Sequence, residues 1–188
     1  MRIVAGRWRG RRLEAPAGAG TRPTADRVRQ ALFDMLWHAP WGGRERVEGA
    51  LVLDAFAGTG ALGLEALSRG AARAWFIERD RAALAALRAN LAACRVGEAE
   101  GRVIAGDATR PPRAEAACGL IFLDPPYGAG LPGVVLPALR GAGWVAPGAL
   151  CCLEIGRAED APGLPGWEIL AEREHGAARV LVLGDTGG

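Results

Sequence analysis

From residue 50 the chain alternates short apolar runs with helix-patterned segments, and no other feature of it restricts the fold as much. The runs are ALVLDA (50–55), ARAWFIE (72–78), GRVIAGD (101–107), GLIFLD (119–124) and ALCCLEI (149–155). Between them lie a helix opened by Gly60, the segment RAALAALRANLAACR, and a helical or turn-rich stretch after Pro132. Continuously apolar strands are buried on both faces, the condition of a parallel sheet with helices on either side. WEILAEREH (167–175) and ARVLVLG (178–184) follow with no helix between them and predict a closing antiparallel hairpin. At 188 residues, 50% of them hydrophobic, the chain can bury one sizeable core. The expected fold is α/β with a doubly wound sheet, in a single domain over 1–188.

The segment before the sheet has a different character. Residues 1–30 hold eight arginines against Glu14 and Asp26, in a chain whose net charge is only +2. RIVAGRWRGRRLEAP mixes alternation with Gly6 and Gly10 and reads as a short basic hairpin or arm over 1–21, joined by PAGAG to a body over 22–188. A local basic arm on a near-neutral body suits a polyanion docking at one end, or is a solvated hairpin with no partner. Beyond the joint, Thr24 can cap a helix whose apolar face is Val28, Ala31, Leu32, Met35 and Leu36. Thr24 and Arg27 could instead face a cofactor's carboxylate.

The stretch VLDAFAGTGALGLEALSRGA (52–71) carries G-x-G-x-x-G in Gly58, Gly60 and Gly63, with Glu78 at the distance of a dinucleotide site's ribose acid. Asp54, four residues before the first glycine, argues against a dinucleotide, because an anion there repels a pyrophosphate at the helix N-terminus. Asp54, Glu78, Asp107 and Asp124 all fall at the carboxyl ends of predicted strands, where open α/β sheets bind ligands. A cationic ligand without phosphate, such as S-adenosylmethionine, suits that crevice. Gly58 and Gly60 would let the backbone approach it, and Glu78 would accept from both ribose hydroxyls. Asp107 would accept from the adenine amino group, with Phe56 or Ile77 against the ring.

DPPY at 124–127 is the sharper motif, and Tyr127 is the only tyrosine. Pro125 and Pro126 fix a rigid turn without backbone donors. A ring-conjugated amine is a poor nucleophile. The Asp124 carboxylate and the Pro125 carbonyl can hold its hydrogens and aim the nitrogen at an electrophilic methyl group, so that the gain comes from position and electrostatics. Tyr127 would stack on the base, a contact of about 1–3 kcal/mol.

These motifs resemble the S-adenosylmethionine-dependent amino-methyltransferases with a D/N-P-P-Y/F motif. More narrowly, RPTADRVRQALFDML (22–36), LDAFAGTGALGLEALSRGA (53–71), FIERD (76–80), GDA (106–108) and FLDPPYGAG (122–130) resemble the RsmD family, which methylates a guanine N2 in small-subunit (16S) ribosomal RNA. The resemblance implies a Rossmann-like, mostly parallel, seven-stranded sheet whose last strand is antiparallel. It makes Asp124, Pro125, Pro126 and Tyr127 catalytic, and has Asp54, Gly58, Gly60, Glu78 and Asp107 bind cofactor, joined by Phe56, Ala108 and Thr24. Arg7, Arg9, Arg11 and Arg12 of the arm would touch RNA, with Arg22 and Arg27 at its junction.

Three rival readings stay open: the same chemistry on adenine N6, cytosine N4 or a glutamine amide; a ribosome-assembly factor that binds RNA without catalysis; and a dehydrogenase. No terminal extension is long enough for a separate DNA-recognition domain. Cys94, Cys118, Cys151 and Cys152 form no C-x-x-C pair, and His38 and His175 are the only histidines, so no metal site is expected and the cysteines read as core. No apolar run reaches membrane-span length, which places the expected protein in the cytoplasm. It is expected to act as a monomer on ribosomal RNA, naked or in an assembled particle.

Overall fold

The structure, a computed structural model, describes residues 1–15, 23–128, 130–159 and 163–187. Its sheet is built from β1 (Leu51–Ala55), β2 (Arg73–Glu78), β3 (Gly101–Ala105), β4 (Cys118–Leu123), β5 (Val145–Gly156), β6 (Trp167–His175) and β7 (Ala178–Asp185). The spatial order is β3-β2-β1-β4-β5-β7-β6, with β1 to β5 parallel. β7 runs antiparallel to both neighbours, β5 and β6. The helices are α1 (Pro23–His38), α2 (Ala61–Ser68), α3 (Arg81–Ala93) and α4 (Pro132–Gly141). The doubly wound sheet and its closing hairpin are those expected from the sequence.

Strand alternation divides the core into two apolar clusters. Val52, Phe76, Phe122, Cys152 and Val182 point to one face, where they meet Phe33 and Leu36 of α1, Leu64 and Leu67 of α2, and Leu87 of α3. Leu53, Trp75, Ile121, Cys151 and Leu183 point to the other, against Val135, Leu136 and Leu139 of α4. Each cluster holds an aromatic pair, Phe33 with Phe122 at 5.6 Å between centroids and Trp75 with Trp144 at 5.8 Å. Burying each such ring contributes about 1.5–3 kcal/mol. The four cysteines are free and buried, Cys151 and Cys152 on opposite faces, as small apolar side chains in a parallel sheet would be.

The N-terminal segment is a docked hairpin, not a free arm. Arg2 and Arg12 pair across it, and Ile3 (0% exposed) and Leu13 (5%) belong to the first core cluster. The Val4 and Ala5 N–H groups donate to Glu65 of α2 at 2.8 and 3.0 Å. Glu65 is itself fully buried and paired with Arg29 of α1 and Arg69 of α2 at 3.4 and 2.8 Å. α1 starts at Pro23, so Thr24 lies inside the first turn and is not its cap; proline is favoured at that position because it has no N–H to satisfy. The Thr24 side chain, and all of Arg22, lie outside the described residues.

Candidate active site

The site lies where the strand order switches between β1 and β4. Directly after β1, Phe56 adopts a φ of 67°, in the left-handed region that costs a bulky residue about 1–3 kcal/mol. Gly58 follows at φ 55°, and a Cβ added there would meet nothing within 4 Å, so its backbone faces open space. The other two glycines do a different job: a Cβ at Gly60 would lie 2.4 Å from Leu87 Cδ1, and one at Gly63 would lie 2.3 Å from Phe76 Cε1. They let α2 sit close on β2 and α3. One glycine thus faces open space and two serve packing.

Asp54 is 2% exposed and accepts the Gly63 N–H at 2.8 Å. Burial raises its carboxyl to about 8 against the pull of that hydrogen bond, and the Asp124 and Glu78 charges add to the rise. Glu78 is already engaged: Oε2 accepts the Gly58 N–H at 2.8 Å, and Oε1 accepts those of Arg79 and Asp80 at 2.7 and 2.8 Å. A carboxylate offers about four lone-pair sites, so one remains for a ribose hydroxyl, and taking both hydroxyls requires one backbone bond to open.

Asp107 accepts the Thr109 N–H and hydroxyl and pairs with Arg79 at 2.9 Å. These contacts, led by the Thr109 N–H, hold its carboxyl below the usual range. Ala108 is buried in the second core cluster, against which Phe56 packs. Ile77, fully buried, is closed off from any ligand ring and leaves Phe56 as the available apolar wall.

Asp124 is exposed, directly beyond β4, and neither of its oxygens accepts a hydrogen bond from the described residues. Surrounding protein, and after it the Glu154 charge, raises its carboxyl to about 7; because the side chain opens to the cleft, water tempers the first effect. Tyr127 is 50% exposed, and its hydroxyl donates to Glu154 Oε1. Its phenol is pushed up by burial and by that bond. Glu159 Oε1 accepts the Gly128 N–H at 2.7 Å and the Gly156 N–H at 3.2 Å, tying the turn after DPPY to the end of β5.

Glu154 and Glu159 are the residues that sequence reading missed. Glu154 was within its reach, because strand parity puts 54, 78, 124 and 154 on the face of Val52, Phe76, Phe122 and Cys152.

Two adjoining hollows result. One, of about 500 Å³, is walled by Asp54, Thr59, Asp124, Glu154 and His175. The other, of about 610 Å³, is walled by Glu78, Arg79, Asp80 and the DPPY turn. Phe56, Gly58, Asp124 and Tyr127 line both. The expected site residues Asp54, Phe56, Gly58, Glu78 and Asp124 to Tyr127 therefore converge, with Gly60 at the N-cap of α2 and Asp107 paired with Arg79. Carboxylates around the glycine turn suit a cationic head and oppose a pyrophosphate, which disfavours the dinucleotide reading. Among the described residues no cluster could hold a metal ion, and no helix is long and apolar enough to cross a membrane.

The expected RNA-contacting arginines are spread out. The hairpin tip packs on Ser68 at the C-terminal end of α2, about 12 Å along that helix from the glycine turn. There Arg7 stacks on Trp8 and pairs with Glu100, and Arg11 donates to the Ala93 carbonyl at the end of α3. Arg9, Arg12 and Arg27 are exposed.

The family described as conserved hypothetical protein 95 matches residues 1–184. The ribosomal RNA small subunit methyltransferase D of Escherichia coli K12 is 41% identical over 178 residues, 94% of this chain and 85% of that protein. The protein of the same name from Haemophilus influenzae is 34% identical over 179 residues, 94% of this chain and 89% of that one. Among solved structures, that of the Escherichia coli protein yhhF has a TM-score of 0.84 at 37% identity, covering 98% of this chain and 97% of that one. With the sheet order, the glycine turn and the DPPY cleft all in place, the chain belongs to the conserved hypothetical protein 95 family, the RsmD family that its sequence motifs resemble.

Proposed function

We propose that this chain transfers a methyl group from S-adenosylmethionine to the N2 amino group of a guanine in small-subunit ribosomal RNA. The observation that carries the chemistry is Asp124, an acceptor with no partner among the described residues, at the meeting of two hollows and beside the open glycine turn. The substrate reading is supported by the names of relatives that align over most of their length with this chain.

S-adenosylmethionine fits the residues present and supplies an electrophilic methyl group on a cationic sulfur. Asp54 would favour its positive end, Gly58 would let it lie against the backbone, and Glu78 would accept from the ribose. Phe56 gives the adenine an apolar wall. On the substrate side, Asp124 and the Pro125 carbonyl would hold the amino hydrogens, with Pro126 keeping the turn rigid. Tyr127 would stack on the base. The methylated nitrogen carries a positive charge until it sheds a proton, and the Asp124 carboxylate beside it, raised by surrounding protein and by the Glu154 charge, can receive it.

Guanine N2 in a duplex faces the minor groove beside its partner base, so the target must be unpaired or flipped to enter the cleft. The test is transfer of labelled methyl from S-adenosylmethionine to unmodified small-subunit RNA, free and protein-assembled, with nucleoside analysis. N2-methylguanosine supports the reading. N6-methyladenosine or N4-methylcytidine overturns the base, and no label in either RNA overturns the substrate.

A further inference from the structure

Asp124 is not the only acceptor the cleft offers to a base. In the parallel pairing of β4 and β5, Leu123 is opposite Leu153, so residues 124 and 154 are next neighbours on strands about 4.8 Å apart. Both side chains line the same hollow. Glu154 interrupts an otherwise apolar run, since Cys151, Cys152, Leu153 and Ile155 are all at most 3% exposed. Glu154 itself is half-buried between these neighbours, so a hydrogen-bond partner for its carboxylate offsets the cost of its partial burial. Only Oε1 is occupied within the described residues, by the Tyr127 hydroxyl. That bond holds one carboxylate oxygen and leaves Oε2 without a partner among the described residues, on a side chain that lines the cleft.

A second carboxylate beside the amine-holding Asp124 separates the bases by hydrogen-bond pattern. Guanine presents its N1–H next to its N2 amino group, two adjacent donors. Adenine and cytosine present an unprotonated ring nitrogen, an acceptor, next to the amino group. An ionised carboxylate only accepts. We propose that Glu154 selects guanine by accepting the N1–H while Asp124 holds the adjacent N2 amino group. This rests on the methyl-transfer reading above and names the residue that chooses among the three bases that chemistry could serve. Tyr127 then has two tasks, to stack on the base and to orient Glu154.

The test replaces the nucleotide that the wild type methylates with 2-aminopurine, which keeps the 2-amino group but has no N1–H. The wild type is expected to prefer guanine by at least about tenfold, since a site built to bind an N–H discriminates strongly against its absence. E154L keeps a side chain of similar size but has no acceptor for the N1–H, and is expected to shrink that preference at least about tenfold, mainly by losing activity on guanine. S-adenosylmethionine affinity and melting temperature, read on the same protein, are expected to stay near wild type. An unchanged guanine preference in E154L overturns the proposal, as does a defect residing wholly in cofactor affinity. If the wild type labels adenine or cytosine instead, the function itself is wrong, an outcome distinct from either of these.

Discussion

Asp54, near the end of β1, accepts the N–H of Gly63 in α2 at 2.8 Å, pinning strand to helix across the glycine turn. Its carboxyl, at about 8 when folded and 3.8 when unperturbed, holds its proton in the folded chain at pH values where the unfolded chain has lost it. Stability from this group is therefore present at low pH and is lost as pH rises from about 4 to 8. D54N is expected to melt above the wild type at pH 8, with the gap closing toward pH 4, in thermal scans without ligand. A gap that widens as pH falls contradicts this.

The same ionisation has the opposite effect on a cationic ligand. S-adenosylmethionine should favour the Asp54 anion, so its affinity should rise between pH 6 and 8 in the wild type and rise less in D54N. Titration calorimetry at several pH values measures both, and an affinity that falls with pH in the wild type is the contrary result.

Glu78 holds three backbone N–H groups and one free lone-pair site. E78Q removes the charge behind those bonds and should weaken S-adenosylmethionine binding about 10- to 100-fold, the range of one charge-assisted hydrogen bond. RNA binding without cofactor should stay unchanged. A filter-binding and calorimetry pair separates the two.

Glu65 joins the N-terminal hairpin, α1 and α2 through two backbone N–H groups and two buried arginines. E65A leaves Arg29 and Arg69 without their shared counterion and should destabilise the chain by about 3–5 kcal/mol in urea unfolding. It should also expose the hairpin to proteolysis first, because Val4 and Ala5 lose their acceptor. A loss below about 1 kcal/mol would mean that apolar packing of Ile3 and Leu13 suffices.

Arg9, Arg12 and Arg27 have no ion-pair partner among the described residues, whereas Arg7 is paired with Glu100 and Arg11 caps α3. Changing Arg9, Arg12 or Arg27 to Ala should lower the salt dependence of RNA binding by about one ion each if each meets a phosphate. R7A should do less. Equal slopes for all four variants contradict this division.

The sheet was legible because β1, β2, β4 and β5 are apolar on both faces, a pattern that local sequence carries whole. The acids at Asp54, Glu78 and Asp124 were legible for a related reason: an ionisable residue ending an apolar run has few places to go but the carboxyl edge. Glu154 escaped because Ile155 follows it, so it reads as a strand interior; its parity with Cys152 was the local clue, and the parallel register with Leu123 sets it beside Asp124. The docked hairpin was hidden for a stronger reason. Glu65 and Arg69 look like an ordinary exposed i,i+4 pair, and their burial depends on Val4, Ala5 and Arg29, some 36 to 61 residues away. Thr24 resembles a cap in the sequence because threonine suits that position, but the proline before it suits the first helical position and takes it.

The most direct measurement is methyl transfer by D124A beside its binding of S-adenosylmethionine. Asp124 has no structural hydrogen bond within the described residues to lose, so the fold and the cofactor affinity should stay close to wild type. Transfer to small-subunit RNA should fall by about 10²- to 10³-fold, the order of a lost electrostatic contact at the reacting group. Transfer within tenfold of the wild type, with cofactor bound normally, would contradict the claim that Asp124 holds the reacting amine.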